Sequence, residues 1–297
     1  MTTNQPRIVG DSFALGYRFQ RYWSTPMASA FFFGELGAGL FIVSLFYDVV
    51  PGMIAGLIAT GVLKPWFHLS HMGVPGKSWR AALRPDRSWI SRGTIAIAVF
   101  LVFGIARTIL QADPGSVSAP VSQAVAIISV LGAVGVVLYH GLSMSHSTAI
   151  SFWSTGMMPV IGVAYALLGG AAVTTALGGR AMPAASFSLH ATTLILLAVT
   201  GLVLFSLIHA ARNGAPGARV SMDLLLKGPP AGIFVPVVIG VGLLLPLFLL
   251  VLAPAAYLSS LLVAASTLAG FYAFRVLVFR AGVYDPIMSF APNLGVG

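Results

Sequence analysis

Eight apolar stretches, each about 20 residues long, follow one another along the chain with short breaks between them. When it is wound as a helix, a run of that length crosses the hydrocarbon layer of a membrane. The stretches are continuous rather than alternating in polarity, which excludes a closed β-barrel in practice. We therefore predict an all-α integral membrane protein with eight spanning helices, at about residues 27–49, 51–69, 93–112, 119–142, 157–177, 187–210, 231–252 and 255–279.

The composition supports a lipid-facing surface. Only 8% of the residues are charged and 58% are hydrophobic, whereas a soluble domain carries about 25% charged residues. The net charge of +9 reflects a scarcity of acids, since there are only seven, and we do not expect a nucleic-acid-binding surface. The sequence has no cysteine, so disulfides, thiolate nucleophiles and cysteine-ligated iron–sulfur clusters are excluded within these 297 residues.

The basic residues predict the orientation in the membrane. Most of them fall on one side of the predicted helices: Arg7, Arg18, Arg21, Lys77, Arg80, Arg84, Arg87, Arg92, Arg212, Arg219, Lys227 and Arg280. The other side holds Arg107 and Arg180. Basic loops remain in the cytoplasm, so we expect both termini there, in the inner membrane of a prokaryote. Residues 1–26 are polar and lack the apolar core of a cleavable signal peptide. Trp66, Trp79, Trp89 and Trp153 are expected at the same membrane face.

The loop from His71 to Gly93 concentrates polar chemistry in an otherwise apolar chain. It holds five of the sixteen basic residues, which are Lys77, Arg80, Arg84, Arg87 and Arg92. Two interpretations remain open for them. They dock the acidic face of a partner, where complementary charge orients association, or they only signal topology.

A few polar side chains fall inside the predicted spans. Glu35, in the first predicted helix about one third of the way along, is costly in lipid and is expected to face the protein interior. It either serves a functional role, such as a proton relay, or is a neutral acid hydrogen-bonded between helices. Arg275, in the last predicted helix, either extends to the interface or pairs with an interior acid. Tyr139 and His140 lie together in the fourth predicted helix, on the side of the basic loop, where Tyr139 is a site residue or an interfacial anchor.

Five histidines cluster towards the basic-loop side: His68, His71, His140, His146 and His209. Imidazoles at one depth can hydrogen-bond a ligand and exchange protons, or two of them can ligate a haem iron. A structural hydrogen bond is the third possibility for each. There is no HExxH motif and no carboxylate cluster with metal-binding spacing, so we predict no bound metal.

Several motifs resemble the NrfD/polysulfide reductase membrane-subunit family, with the DMSO reductase anchor subunit as a more distant relative. They are His71-x-Gly73-x-Pro75, Trp79-Arg80-Ala81, Pro85, Ser88 to Gly93, Tyr139-x-Gly141, and the last helix from Leu268 through Phe274-Arg275 to Gly282. The likeness covers nearly the whole chain. It implies two four-helix bundles, which we place at residues 27–156, with the basic loop 70–92, and 157–297, after a cytoplasmic segment 1–26.

The resemblance also implies a function. Members of this family bind a quinone or quinol (menaquinone or ubiquinone) within the first four helices and carry no haem. They exchange electrons with a four-cluster iron–sulfur subunit, which serves a molybdopterin catalytic subunit. By position, His71 and Tyr139 match family site residues. The Asn and His of the family's first helix have no counterpart in residues 26–30, and Gly93 replaces the acidic residue of the DMSO reductase anchor.

These arguments predict a quinone pocket formed by His71, Tyr139 and His140, with Glu35 relaying protons. Arg92 holds the loop or stabilises anionic charge on the head group. Lys77, Arg80, Arg84 and Arg87 dock the partner. Two rival classes stay open: an anchor that binds haem b between His140 and His209, and a proton-coupled transporter that uses Glu35.

Overall fold

The computed structural model describes residues 16–113, 115–178, 188–252 and 256–286. Eight of its helices are long and apolar enough to cross a membrane, as predicted. In chain order the helices are α1 (Thr25–Phe46), α2 (Val50–His71), α3 (Trp89–Ala112), α4 (Ala119–Ser145), α5 (Met157–Gly178), α6 (Leu189–Asn213), the short surface helix α7 (Pro216–Lys227), α8 (Ala231–Leu252) and α9 (Tyr257–Arg280). Arg7 and Arg180 of the predicted charge distribution lie outside the described residues.

The helices differ in how deeply they are buried. In α1, 78% of the central window is buried inside the protein, and in α5 67%, whereas α3 is only 17% buried. α1 packs against α2, α4, α5 and α9, so α1 and α5 form the centre and α3 faces lipid. The division into two bundles at residue 156 remains a prediction. α1 and α5, which lie on either side of that residue in sequence, pack against each other.

Small residues bring α1 and α5 together. The backbones touch where Gly39 meets Ala166 and where Gly170 meets Gly39, and a Cβ on Gly170 would lie 2.5 Å from the Gly39 carbonyl oxygen. Gly56 of α2 approaches Gly37 of α1 in the same way. These glycines therefore permit the close packing of the helices.

α2 is interrupted by one wide turn. Residues Ala59–Leu63 form a π-helix, in which the Lys64 N–H donates to the Ala59 carbonyl, five residues back. Pro65 explains the wide turn, because it has no N–H to donate to Gly61 and so breaks the regular α-helical pattern. α8 repeats this arrangement, with the π-helix Phe234–Leu244 followed by Pro246.

The connection between α2 and α3 is ordered by hydrogen bonds. A 3₁₀ helix, Pro75–Ala82, occupies its middle. Ser91 ties it to α3, since its hydroxyl donates to the Ala81 carbonyl and accepts from the Arg84 N–H at 3.2 Å. The Ser91 hydroxyl thus ties the loop to the end of α3 without using Lys77, Arg80, Arg84 or Arg87, whose side chains remain exposed.

The two ends of the described chain meet on the same side as this loop. Strands β1 (Arg18–Phe19) and β2 (Val283–Tyr284) pair antiparallel, and Gln20 Nε2 donates to the Phe279 carbonyl at 2.7 Å. Trp153 packs beneath them, 1% exposed, with its Nε1 donating to the Val278 carbonyl at 3.1 Å. Trp153 therefore lies towards the side predicted for it, but its side chain fills the protein core.

Candidate functional site: a buried polar cluster below the basic loop

Glu35 and Arg275 form the centre of the candidate site. Arg275 Nε donates to Glu35 Oε2 at 2.7 Å, and Nη2 donates to Oε1 at 2.6 Å. Neither residue is exposed to solvent. Of the two possibilities for Arg275, pairing with an interior acid is the one observed. Glu35 is the eleventh of the 22 residues of α1, so it lies midway along the helix and not one third of the way.

α5 leaves room for this ion pair. A Cβ on Gly162 would lie 3.0 Å from Arg275 Nη2 and 3.1 Å from Glu35 Oε1. A glycine at this position lets the α5 backbone pack against both charged groups and shield them from lipid. A buried pair with two parallel hydrogen bonds compensates much of the cost of removing both charges from water.

His140 lies next to the ion pair. Its Nδ1 is 4.0 Å from Glu35 Oε1, and its ring packs against Phe31 with centroids 4.4 Å apart. Both ring nitrogens are buried and make no well-formed hydrogen bond, although the Val136 carbonyl and the Glu35 carboxylate lie nearby. Buried polar atoms are nearly always paired, so an imidazole in this state is suited to a ligand or to water.

Lys64 approaches His140 from α2. Lys64 is 3% exposed, and its Nζ lies 5.2 Å from the centroid of the Tyr139 ring. The two side chains meet above Gly34. A Cβ on Gly34 would lie 2.6 Å from His140 Cε1 and 2.9 Å from Lys64 Cδ. The absence of that Cβ creates the space in which lysine and histidine converge.

Tyr139 completes the group that we call the buried polar cluster: Glu35, Lys64, Tyr139, His140 and Arg275. Its ring centroid is 4.0 Å from that of His140, and the residue is 7% exposed. A Cβ on Gly93 would overlap the Tyr139 ring. Gly93 therefore leaves the space that the Tyr139 ring occupies.

His71 is in a different environment. It ends α2, is only partly buried, and its Nδ1 lies 3.1 Å from the Ser24 hydroxyl oxygen. It is seven residues after Lys64 along α2, and His68 stands between them. The His68 Nδ1 is buried without a hydrogen-bond partner. His71 therefore lies between the cluster and the protein surface, and not beside Tyr139 and His140.

Arg92 belongs to the basic loop. Its Nε donates to the Pro85 carbonyl at 2.8 Å, its Nη2 donates to the Asp86 carbonyl at 3.1 Å, and its guanidinium lies 4.4 Å from the Trp89 ring centroid. Of its two predicted roles, holding the loop is the one with observed contacts. The four residues predicted to dock a partner are all exposed: Lys77, Arg80, Arg84 and Arg87.

The two histidines predicted as haem ligands have different surroundings. His140 is fully buried between aromatic rings, whereas His209 is exposed on α6 and contacts Asn213 and Phe205. Within the residues that the structure describes, no group of three or more His, Cys, Asp or Glu side chains is arranged to hold a metal ion.

The fold and the buried polar cluster together define a multi-pass membrane protein. Its charged side chains meet inside the helix bundle, between the middle of α1 and the end that carries the basic loop. The chain belongs to the NrfD family, whose model, described as "Polysulphide reductase, NrfD", matches residues 16–285. No curated protein sequence matches it. NrfD proteins are the membrane subunits of polysulfide reductase-like complexes, so this chain serves as a membrane anchor.

Proposed function

We propose that the chain is the quinone- or quinol-binding membrane subunit of a respiratory oxidoreductase with iron–sulfur and molybdopterin subunits. The carrying observation is His140, a fully buried imidazole with two unpaired nitrogens beside Tyr139 and Lys64. Membership of the NrfD family supports the same assignment.

The side chains of the cluster fit the polar head of a quinone. The two carbonyl or hydroxyl oxygens of such a ring need hydrogen-bond partners, and His140 has two nitrogens that no protein group occupies. Tyr139 and His140 hold the head group, while His71 and Arg92 lie nearer the surface. The isoprenoid tail finds apolar surface on α2 and α3, which are mostly exposed to lipid. When bound, the quinone would supply two-electron, two-proton chemistry, since it takes up two electrons and two protons to form the quinol.

The chain contributes binding, orientation and proton exchange. Lys64 places positive charge over the Tyr139 ring, which favours hydrogen bonding to an oxygen that gains electron density. Glu35 has both oxygens engaged by Arg275, so a proton accepted by Glu35 has to weaken one of those hydrogen bonds. His140, whose nitrogens are free, is therefore the first group to exchange a proton with the ligand, and Glu35 stands behind it.

Electrons pass through a partner protein. This chain has no cysteine to hold an iron–sulfur cluster, so we assign electron transfer to a four-cluster iron–sulfur subunit that in turn serves a molybdopterin subunit. Lys77, Arg80, Arg84 and Arg87 present exposed positive charge at the end of the helices. An acidic face on that subunit would be attracted to this loop and oriented by it.

The charge distribution sets the orientation that we propose. The basic loop and the paired strands β1 and β2, at the two ends of the described residues, lie on one side, which we place in the cytoplasm by the positive-inside rule. A reporter fused to the C-terminus tests this assignment. A cytoplasm-dependent reporter should be active, and activity restricted to a periplasm-dependent reporter would reverse the orientation.

Ligand binding is tested in the purified, assembled complex with 2-heptyl-4-hydroxyquinoline N-oxide, a quinol analogue whose fluorescence falls on binding. We expect one binding site in the wild type and a loss of affinity of about tenfold or more in His140→Phe. His209→Phe is the matched control, because His209 is exposed on α6. Equal affinity in wild type and His140→Phe would remove His140 from the site.

The same preparation separates the rival classes. Copurification of iron–sulfur and molybdopterin proteins supports the proposal. A Soret band that belongs to this chain would instead indicate a haem-binding anchor, and solute uptake by the chain alone would indicate a transporter.

A further inference from the structure

Three ionisable side chains lie on one face of the second half of α2. Lys64, His68 and His71 are separated by four and three residues in the continuous α-helix Lys64–His71. This spacing places side chains above one another on the same helix face. With a rise of about 1.5 Å per residue, the three span about 10 Å along the helix axis.

Burial decreases along this face. Lys64 is 3% exposed, His68 is partly buried with its Nδ1 inaccessible and unpaired, and His71 reaches the surface beside Ser24. The face therefore runs from the protein interior to the end of the bundle that carries the basic loop.

The inner end of this face joins the buried polar cluster. Lys64 and His140 both lie within 3 Å of the position that a Cβ on Gly34 would occupy. His140 Nε2 faces that same position, while its Nδ1 faces Glu35 Oε1 at 4.0 Å. The imidazole thus has one nitrogen beside the space that the Lys64 side chain also borders and the other towards the carboxylate.

The alternative is that these residues are structural. Structural histidines in membrane helices donate to carbonyls or pair with acids, and His140 has the Val136 carbonyl near its ring and Glu35 Oε1 at 4.0 Å from Nδ1. Neither His140 nitrogen makes a well-formed hydrogen bond, however, and the buried His68 Nδ1 has no hydrogen-bond partner. The charged or titratable groups that face His140 are Glu35 from α1, Lys64 and His68 from α2, Tyr139 from its own helix α4 and Arg275 from α9. Unpaired nitrogens between charged groups are the pattern that water-linked proton transfer needs.

We propose that Lys64, His68 and His71 form the proton-access route between the buried polar cluster and the aqueous phase on the basic-loop side. Each step moves one proton. A side chain accepts a proton from one neighbour along the route and releases a proton to the next, directly or through water, inward for quinone reduction and outward for quinol oxidation. No electrons move along this path. The route deepens the proposed function, since reduction of a quinone takes up two protons and oxidation of a quinol releases two.

The test compares His68→Phe and His68→Gln in the assembled complex. Both variants should lower turnover with decylubiquinol by about tenfold or more, and affinity for the quinol analogue should stay within about twofold of the wild type. His68→Gln keeps a polar side chain, so a merely structural role predicts normal turnover for it. Imidazole added to the buffer should restore part of the rate, and His209→Phe should behave as wild type. Normal turnover in both His68 variants would overturn the route.

A second measurement does not depend on quinone chemistry. Exchange of the imidazole C2 hydrogen of His140 for deuterium requires heavy water to reach the protonated ring and remove that hydrogen, and mass spectrometry detects it. Because the Phe ring blocks the path of this water, exchange at His140 should fall severalfold in His68→Phe and remain unchanged in His209→Phe. Unchanged exchange would reject the route even if the chain binds no quinone. A wild type without affinity for the quinol analogue would reject the proposed function alone.

Discussion

Arg275 and Glu35 are 240 residues apart in sequence and are joined by two parallel hydrogen bonds, 2.7 Å and 2.6 Å long. Both side chains are fully buried. Because α1 and α9 contribute one charge each, the pair fastens the beginning of the chain to its last described helix. The energetic value of this contact is open to a direct measurement.

Removing one partner of the pair should destabilise the protein strongly. Arg275→Met leaves the Glu35 carboxylate buried without its partner, and Glu35→Leu does the same to the guanidinium, at a cost of about 3–5 kcal/mol each. The double variant removes both charges and should recover much of that loss. Thermal unfolding in detergent measures all three. A double variant that loses as much as the sum of the two single variants would contradict coupling.

Gly93 should tolerate no side chain. In Gly93→Ala the new Cβ overlaps the Tyr139 ring, which must move, and we expect a loss of about 1–3 kcal/mol together with weaker binding of the quinol analogue. Gly73→Ala is the matched control, because a Cβ on Gly73 meets nothing within 4 Å. The measurements are thermal unfolding and fluorescence titration. Equal behaviour of the two variants would show that the Tyr139 ring has space to shift.

The Tyr139 hydroxyl is predicted to contact the head group. Tyr139→Phe keeps the ring that packs against His140 and removes only the hydroxyl. We expect unchanged thermal stability within about 0.5 kcal/mol and an affinity for the quinol analogue lowered by about three- to tenfold. If affinity is retained, Tyr139 serves packing alone, and His140 carries the recognition.

Charge reversal on the basic loop should weaken partner docking. In the variant with Lys77, Arg80, Arg84 and Arg87 all changed to Glu, we expect the iron–sulfur subunit to be lost during purification, and more readily as salt is raised. The control is Arg212→Glu, which alters a basic residue on the same side but outside the loop. Full copurification of the quadruple variant would leave these residues as topology signals only.

The number and position of the spanning helices could be predicted because lipid demands long apolar runs, and such runs stand out in the sequence. The surface helix Pro216–Lys227 was not predicted, since twelve residues with a polar face give no comparable signal. The central position of α1 and α5 was not predicted, because a hydropathy pattern does not say which helices contact one another. The burial of Trp153 was not predicted, because a tryptophan near a helix end is ordinarily interfacial.

Lys64 was the residue that sequence reasoning missed. A lysine near the end of an apolar run normally extends to the membrane surface, so nothing in its position indicated burial. Its spacing from His68 and His71 was the available signal, together with Pro65, which marks irregular winding. Glu35 and Arg275 were easier, because charges deep in apolar runs have to find partners in the interior.

The wide turn at Ala59–Leu63 determines the direction in which the side chains of the last third of α2 project. One extra residue in that turn rotates everything after it by about 100° relative to regular winding. Excising a single residue from the turn would swing the ammonium group and both imidazoles round towards the acyl chains, while hydropathy and length stayed almost the same. The rotation of this segment about the helix axis thus decides whether the protein has a polar interior or is an inert membrane anchor. Two sequences that differ in this way would have nearly the same hydropathy profile.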